Sequence, residues 1–138
     1  FESIMNFSIF KNMFKLSKKS LSKLQGVHPD LVRVVKKAIT ITEIDFCILE
    51  GLRTLEKQKI LFKTGASKTM NSRHLTGHAV DLGAMVNNEV RWDWPLYNLI
   101  SNAMKRASEI EDVNIEWGGD WISFKDGPHF QLPWKDYP

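Results

Sequence analysis

Two short stretches concentrate the residues able to do chemistry: Ser72-Arg73-His74-Leu75-Thr76-Gly77-His78-Ala79-Val80-Asp81 and Asp126-Gly127-Pro128-His129-Phe130. Imidazole nitrogen and carboxylate oxygen are donors that zinc favours, at roughly 2.0–2.2 Å. A catalytic zinc takes three protein ligands and keeps a fourth position open. His74, Asp81 and His129 supply such a set. Two imidazoles and one carboxylate leave the ion net positive, which lowers the pKa of a bound water from about 15.7 to about 7. The spacing His-x6-Asp is common, and by itself it does not single out a metal site. His74 and His78 also form an i, i+4 pair, a spacing used on zinc-binding helices. Gly77 lies between them, a strand-like run follows, and Leu75 stands where the helical motif needs glutamate. His78 is therefore read as a rim residue and not as a ligand.

Bringing the three donors together needs a loop ending at His74, a strand carrying Asp81 and a neighbouring strand carrying His129. A strand pair can do this; a single helix cannot. Ala79 to Val86 reads as a strand, Asn87-Asn88 as a hairpin turn and Glu89 to Trp92 as the return. Two late strands are expected around Asn114–Trp117 and His129–Leu132, and an earlier buried one over Asp45–Glu50. A short helix is expected from Ser17 to Leu24, capped by Ser17 or Ser20. A second begins at Pro29 after His28, with Leu31, Val34, Val35, Ala38 and Ile39 on its apolar face. A third covers Leu55–Phe62, capped by Thr54 and stopped by Thr64-Gly65. Pro95 opens the longest, with Leu96, Leu99, Ile100, Ala103, Met104, Ala107 and Ile110 toward the core. Helices come mostly early and strands late. The class is therefore α+β, a small single domain with an antiparallel sheet and helices packed around it.

Length and composition set the limits. A chain of 138 residues fits one domain and buries roughly two-thirds of its unfolded surface, so a metal is free to be catalytic and not a structural staple. The net charge of +3 suits a mildly anionic partner such as a cell-wall polymer and is too weak to argue for nucleic acid. The lone cysteine, Cys47, excludes an intrachain disulfide and a cysteine zinc site. Within Phe46-Cys47-Ile48-Leu49 it reads as a small buried hydrophobe. No apolar run approaches the roughly 20 residues of a membrane span. Phe1 to Ser20 mixes aromatics with lysines and makes a poor signal peptide. The expectation is a protein made in a cytoplasm.

Ser-x-His-x6-Asp followed by acid-x-x-His resembles the zinc peptidoglycan peptidases of the VanY and VanX type (D-alanyl-D-alanine carboxypeptidase family). The likeness is nearest to the phage L-alanyl-D-glutamate endopeptidase endolysins. Its further markers are Glu50-Gly51-Leu52-Arg53-Thr54 with Gln58, and Trp117-Gly118-Gly119-Asp120-Trp121. It runs from about Leu16 to Leu132. The resemblance implies a Hedgehog/DD-peptidase-like fold over residues 16–138; residues 1–15 read as an N-terminal extension, with Phe1-Glu2-Ser3-Ile4 before Met5 a candidate foreign remnant. It implies one zinc per chain, held by His74, Asp81 and His129. Asp126 takes the base position, drawing a proton from the attacking water and passing it to the leaving nitrogen. Arg53 polarises the scissile carbonyl or stabilises the oxyanion. Gln58, Ser67 and Ser72 either contact substrate or shape their loops. Trp117 and Trp121 either wall the cleft or pack in the core. The implied partner is the peptidoglycan stem peptide, met by a monomer after release from the cytoplasm, as in phage lysis.

The motif block encodes the chemistry and not the bond. L-alanyl-D-glutamate endopeptidase activity is the first expectation and D-alanyl-D-alanine carboxypeptidase or dipeptidase activity the second. A non-catalytic zinc-containing wall-binding module would have no need of Asp126 or Arg53. Asp120–Lys125 is short and poor in acids, so no calcium site is expected.

Overall fold

Three of the helices start at a side chain that caps them, and the longest opens on a proline instead. A computed structural model describes residues 14–138; of the expected N-terminal extension, residues 1–13 lie outside the described residues. Helix α1 (Lys18–Lys23) begins at Ser17, whose hydroxyl accepts the Ser20 N–H. Helix α2 (Pro29–Ile41) begins at His28, whose Nδ1 accepts the Asp30 N–H at 3.0 Å. Its apolar residues Leu31, Val34, Val35, Ala38 and Ile39 are all buried, as their helical spacing requires. Helix α3 (Leu55–Lys63) is capped by Thr54. Helix α4 (Trp94–Glu111) has Pro95 in its first turn and packs on α2.

The strands are β1 (Asp45–Glu50), β2 (Ala79–Val86), β3 (Glu89–Arg91), β4 (Glu116–Trp117) and β5 (His129–Gln131). They form one sheet in the order β1-β2-β5-β4, with β3 pairing β2. Every pairing is antiparallel. Asn87 and Asn88 both take positive φ, 52° and 65°, the backbone a tight two-residue hairpin needs.

Alternation along the strands sorts the two faces. Phe46, Ile48, Val80, Leu82 and Phe130 point into one core with α2 and α4. Fully burying a side chain of this kind contributes about 1.5–3 kcal/mol. The residues between them, Asp81, His129 and Gln131, take the opposite face. The helices thus bury one side of the sheet and leave the other side for the site.

Four expectations change. Cys47 is half-buried, because Phe46 and Ile48 take the core positions of β1. Ile110 is 52% exposed; Asp112 turns the chain in the left-handed region and Val113 N–H donates back to Ser108, so Val113 covers the core there. Tyr97 and Ser101 join the buried face of α4. Strand β4 is only two residues long, so Asn114 and Ile115 fall outside it. No helix among the described residues is long and apolar enough to cross a membrane.

Candidate active site

The His74 backbone sits in a 3₁₀ turn, Arg73–Thr76, capped by Ser72, whose Oγ accepts the His74 N–H at 3.2 Å. Gly77 ends that turn at φ 76°. A Cβ there would lie 2.2 Å from the Gly26 carbonyl oxygen, so only glycine fits. This break keeps His78 off the His74 face: His78 Nδ1 meets Thr76 Oγ1 at 2.7 Å, and its ring lies near His28 and Tyr137.

Asp81 and His129 are register partners on β2 and β5. Their side chains meet beside His74. Asp81 Oδ1 is 3.2 Å from His74 Nε2 and 3.2 Å from His129 Nδ1. One donor atom from each of the three residues falls within 4.8 Å of the others. The outer nitrogens are engaged. His74 Nδ1 is 2.8 Å from the Gly51 carbonyl, and His129 Nε2 is 2.8 Å from Gln131 Oε1. A carbonyl only accepts, so the outer nitrogen of His74 carries the hydrogen and its inner nitrogen offers a lone pair. Three inward lone-pair atoms repel unless a cation sits among them, either a proton on a ring or a metal ion. The donor set therefore fits a metal.

The electrostatics express the same demand. Burial opposes ionisation of Asp81, yet the hydrogen bonds from His129 and His74 overcome it and hold the carboxyl well below the usual range. Burial also works against a charged His129 ring, but Asp81 beside it wins and pushes the ring up.

Asp126 and Arg53 line the same cleft, about 1000 Å³ in volume, with Ser67, Ser72, Trp121 and Gln131. Burial first, and the Asp81 charge second, push the Asp126 carboxyl up. The Trp117–Gly119 stretch holds this residue in place. Asp126 N–H donates to the Gly118 carbonyl at 3.0 Å, and Trp117 Nε1–H to the Gly127 carbonyl at 2.6 Å. A Cβ on Gly118 would lie 2.4 Å from the Asp126 carbonyl oxygen. Gly118→Ala is therefore expected to displace Asp126 and cut kcat by up to about 10²-fold, with metal content unchanged. Wall-lysis rates beside metal analysis check this, and full activity would mean that the close approach is dispensable.

Arg53 is fixed from two sides. Its Nε donates to Glu50 Oε1 at 3.0 Å, its Nη2 donates to the same oxygen, and its Nη1 donates to Gln58 Oε1 at 2.7 Å. That uses three of five donors and leaves two for a ligand. Burial resists ionisation of Glu50, but Arg53 and Lys57 overcome it and lower its carboxyl. Gln58 is fully buried; its amide donates to Ser67 Oγ at 2.9 Å and to the Thr69 carbonyl at 2.6 Å. It stands behind Arg53 and outside the cleft lining. Trp117 is likewise buried outside the lining, stacked on Phe130. Trp121 lines the cleft, its ring 5.2 Å from that of His129.

Sequence reasoning missed Glu50 as the partner of Arg53, the Gly51 carbonyl, and Gln131. The signals were present as an acid three residues before Arg53 and an amide two residues after His129, on the same strand face.

Comparison with known proteins places this site in a family. A model of the phage L-alanyl-D-glutamate peptidase family matches residues 12–132. The chain belongs to that family. It is 33% identical over 122 residues to the L-alanyl-D-glutamate peptidase of Listeria phage A118, covering 86% of this chain and 42% of that protein. It is 29% identical over 112 residues to the L-alanyl-D-glutamate peptidase of Escherichia phage T5, covering 78% of this chain and 82% of that one. The chain thus spans less than half the length of the first relative and most of the second. The crystal structure of the Serratia marcescens L-Ala D-Glu endopeptidase ChiX superposes with a TM-score of 0.86 and 45% identity. The match covers 91% of this chain and 96% of that one.

Proposed function

We propose that this chain is a zinc-dependent endopeptidase that cuts the L-alanyl–D-glutamate bond of the peptidoglycan stem peptide. The observation that carries the reading is a metal-fitting triad sharing one cleft with a raised carboxyl, Asp126, and a braced guanidinium, Arg53. The choice of bond is supported by the likeness to ChiX over nearly the whole of both chains.

His74, Asp81 and His129 would hold the zinc. Bound there, zinc would serve as a Lewis acid and lower the pKa of a water in its open position. The chain's own groups do the rest. Asp126 takes a proton from the attacking water and returns it to the leaving nitrogen. A carboxyl raised toward neutrality suits both halves of that task. Arg53 lines the cleft with two donors to spare, which would stabilise the negative charge that develops on the carbonyl oxygen. Glu50 and Gln58 fix the guanidinium beforehand, so little ordering remains for the reaction step. Trp121 offers an apolar wall beside His129.

Mass spectrometry of digested peptidoglycan tests the bond. New N-terminal D-glutamate is the expected product. Released D-alanine would point instead to the carboxypeptidase or dipeptidase reading. Zinc binding without any new terminus would favour a wall-binding module.

A further inference from the structure

We propose that Gln131 is a positioning residue for His129, and that Glu116 across the sheet sets which end of the Gln131 amide His129 meets. This rests on the reading that His74, Asp81 and His129 hold zinc.

Antiparallel pairing sets Asp81 opposite His129 and Glu116 opposite Gln131. His129 and Gln131 are two residues apart on β5, so they share a face. The four side chains form a row across three strands, Glu116 to Gln131 to His129 to Asp81. Gln131 is buried at 6% exposure. Its Oε1 lies 2.8 Å from His129 Nε2, and its Nε2 donates to Glu116 Oε2 at 3.4 Å.

The chemistry of the row has one consistent direction. An ionised carboxylate only accepts, so the amide group facing Glu116 is the NH₂. The amide oxygen then faces His129. That oxygen also only accepts, so His129 Nε2 carries a hydrogen. Nδ1 is then the nitrogen that can turn a lone pair to zinc at the centre of the triad; in the metal-free protein a proton between it and Asp81 takes that place. Reversing the amide would aim an N–H at Nε2. The ring would then favour its hydrogen on Nδ1, where it blocks a metal. Gln131 therefore does for His129 what the Gly51 carbonyl does for His74, but a side-chain amide has two ends. Glu116 supplies the missing choice.

Partners of this kind typically change metal affinity by about 10–100-fold. Zinc dissociation constants are measured by competition with a chromophoric chelator in the intact protein. Gln131→Leu is expected to weaken zinc binding by about that factor. Gln131→Glu keeps an acceptor at the same place and is expected to restore it. Glu116→Val is expected to lose affinity in the Gln131 background and to lose less in the Gln131→Glu background, where no amide needs orienting. In the zinc-loaded protein, long-range ¹H–¹⁵N spectra should show a slowly exchanging His129 Nε2–H that exchanges fast in Gln131→Leu. Equal Glu116→Val losses in both backgrounds would overturn the proposal. So would unchanged zinc affinity in Gln131→Leu with a raised KM, which would make Gln131 a substrate contact. If the unaltered protein itself binds no zinc, the metal reading fails and not this one alone.

Discussion

Asp126→Ala will remain folded and metal-loaded and will lose about 10²–10⁴-fold in kcat on peptidoglycan. Asp126 is held by its backbone, through Gly118 and the following turn, and its carboxyl makes no hydrogen bond that holds the fold among the described residues. In the proposed role, removing the carboxyl takes away proton transfer and little else. Asp126→Asn should behave alike, since an amide cannot accept the proton. The pH profile adds a second readout. A base must be ionised to act, so activity falls as pH drops through its pKa. In the metal-free protein burial and the Asp81 charge raise that value; zinc held by Asp81 would cancel the second cause, so the acid limb should move down in pH between the metal-free protein, followed by Asp126 titration, and the loaded enzyme. The limb should vanish from whatever activity Asp126→Ala retains. Undiminished lysis by Asp126→Ala would remove the base assignment, and loss of metal from it would recast Asp126 as a ligand.

Asp81→Ala is expected to lose metal and activity together. Its oxygen is the one atom that both histidine rings approach. A ligand bound only to the folded state stabilises it by about 4.1 kcal/mol at a concentration 1,000 times its Kd. Chelation should therefore lower the Tm of the unaltered protein and leave that of Asp81→Ala unmoved. Asp81→Ala that still carries stoichiometric metal would strike Asp81 from the ligands.

The metal-free protein offers a check on sign. The folded Asp81 carboxyl lies below its unfolded value of about 3.9. Its contribution to stability is complete above that value and is lost as pH falls through the folded one. Metal-free protein should thus lose stability below about pH 4, and Asp81→Asn should lose less. The folded His129 ring lies above its ordinary value. Its contribution runs the other way, present in acid and lost as pH rises through the folded value. Urea midpoints measured across pH separate the two.

Much of the fold was legible because its signals are local. Ser17, His28 and Thr54 cap the helices the sequence placed after them. The bounds of β1 and β2 agree with the reading from apolar runs and turn residues. The errors lie where a neighbour decides. Ile110 follows helical spacing, yet Val113 reaches the core in its place through a backbone turn at Asp112. Cys47 sits in an apolar run, yet strand alternation turns it from the core.

In the sequence the triad is donor types at a common spacing. By itself the sequence determined which residues offer metal-binding donors, which strands carry them and which family the chain resembles. Those are properties of residue type, period and order along the chain. Only the tertiary structure decided who stands beside whom. It set Gln58 and Trp117 behind the cleft, bracing Arg53 and the Asp126 turn. It kept His78 away from the donors and lined up Glu116, Gln131, His129 and Asp81 in one row. Asp81 and His129 are 48 residues apart in the chain, and a one-residue slip between β2 and β5 would send either side chain to the other face. That register is fixed by burial of Val80 against Phe130 on the far side of the sheet, a long-range packing choice that no local pattern contains.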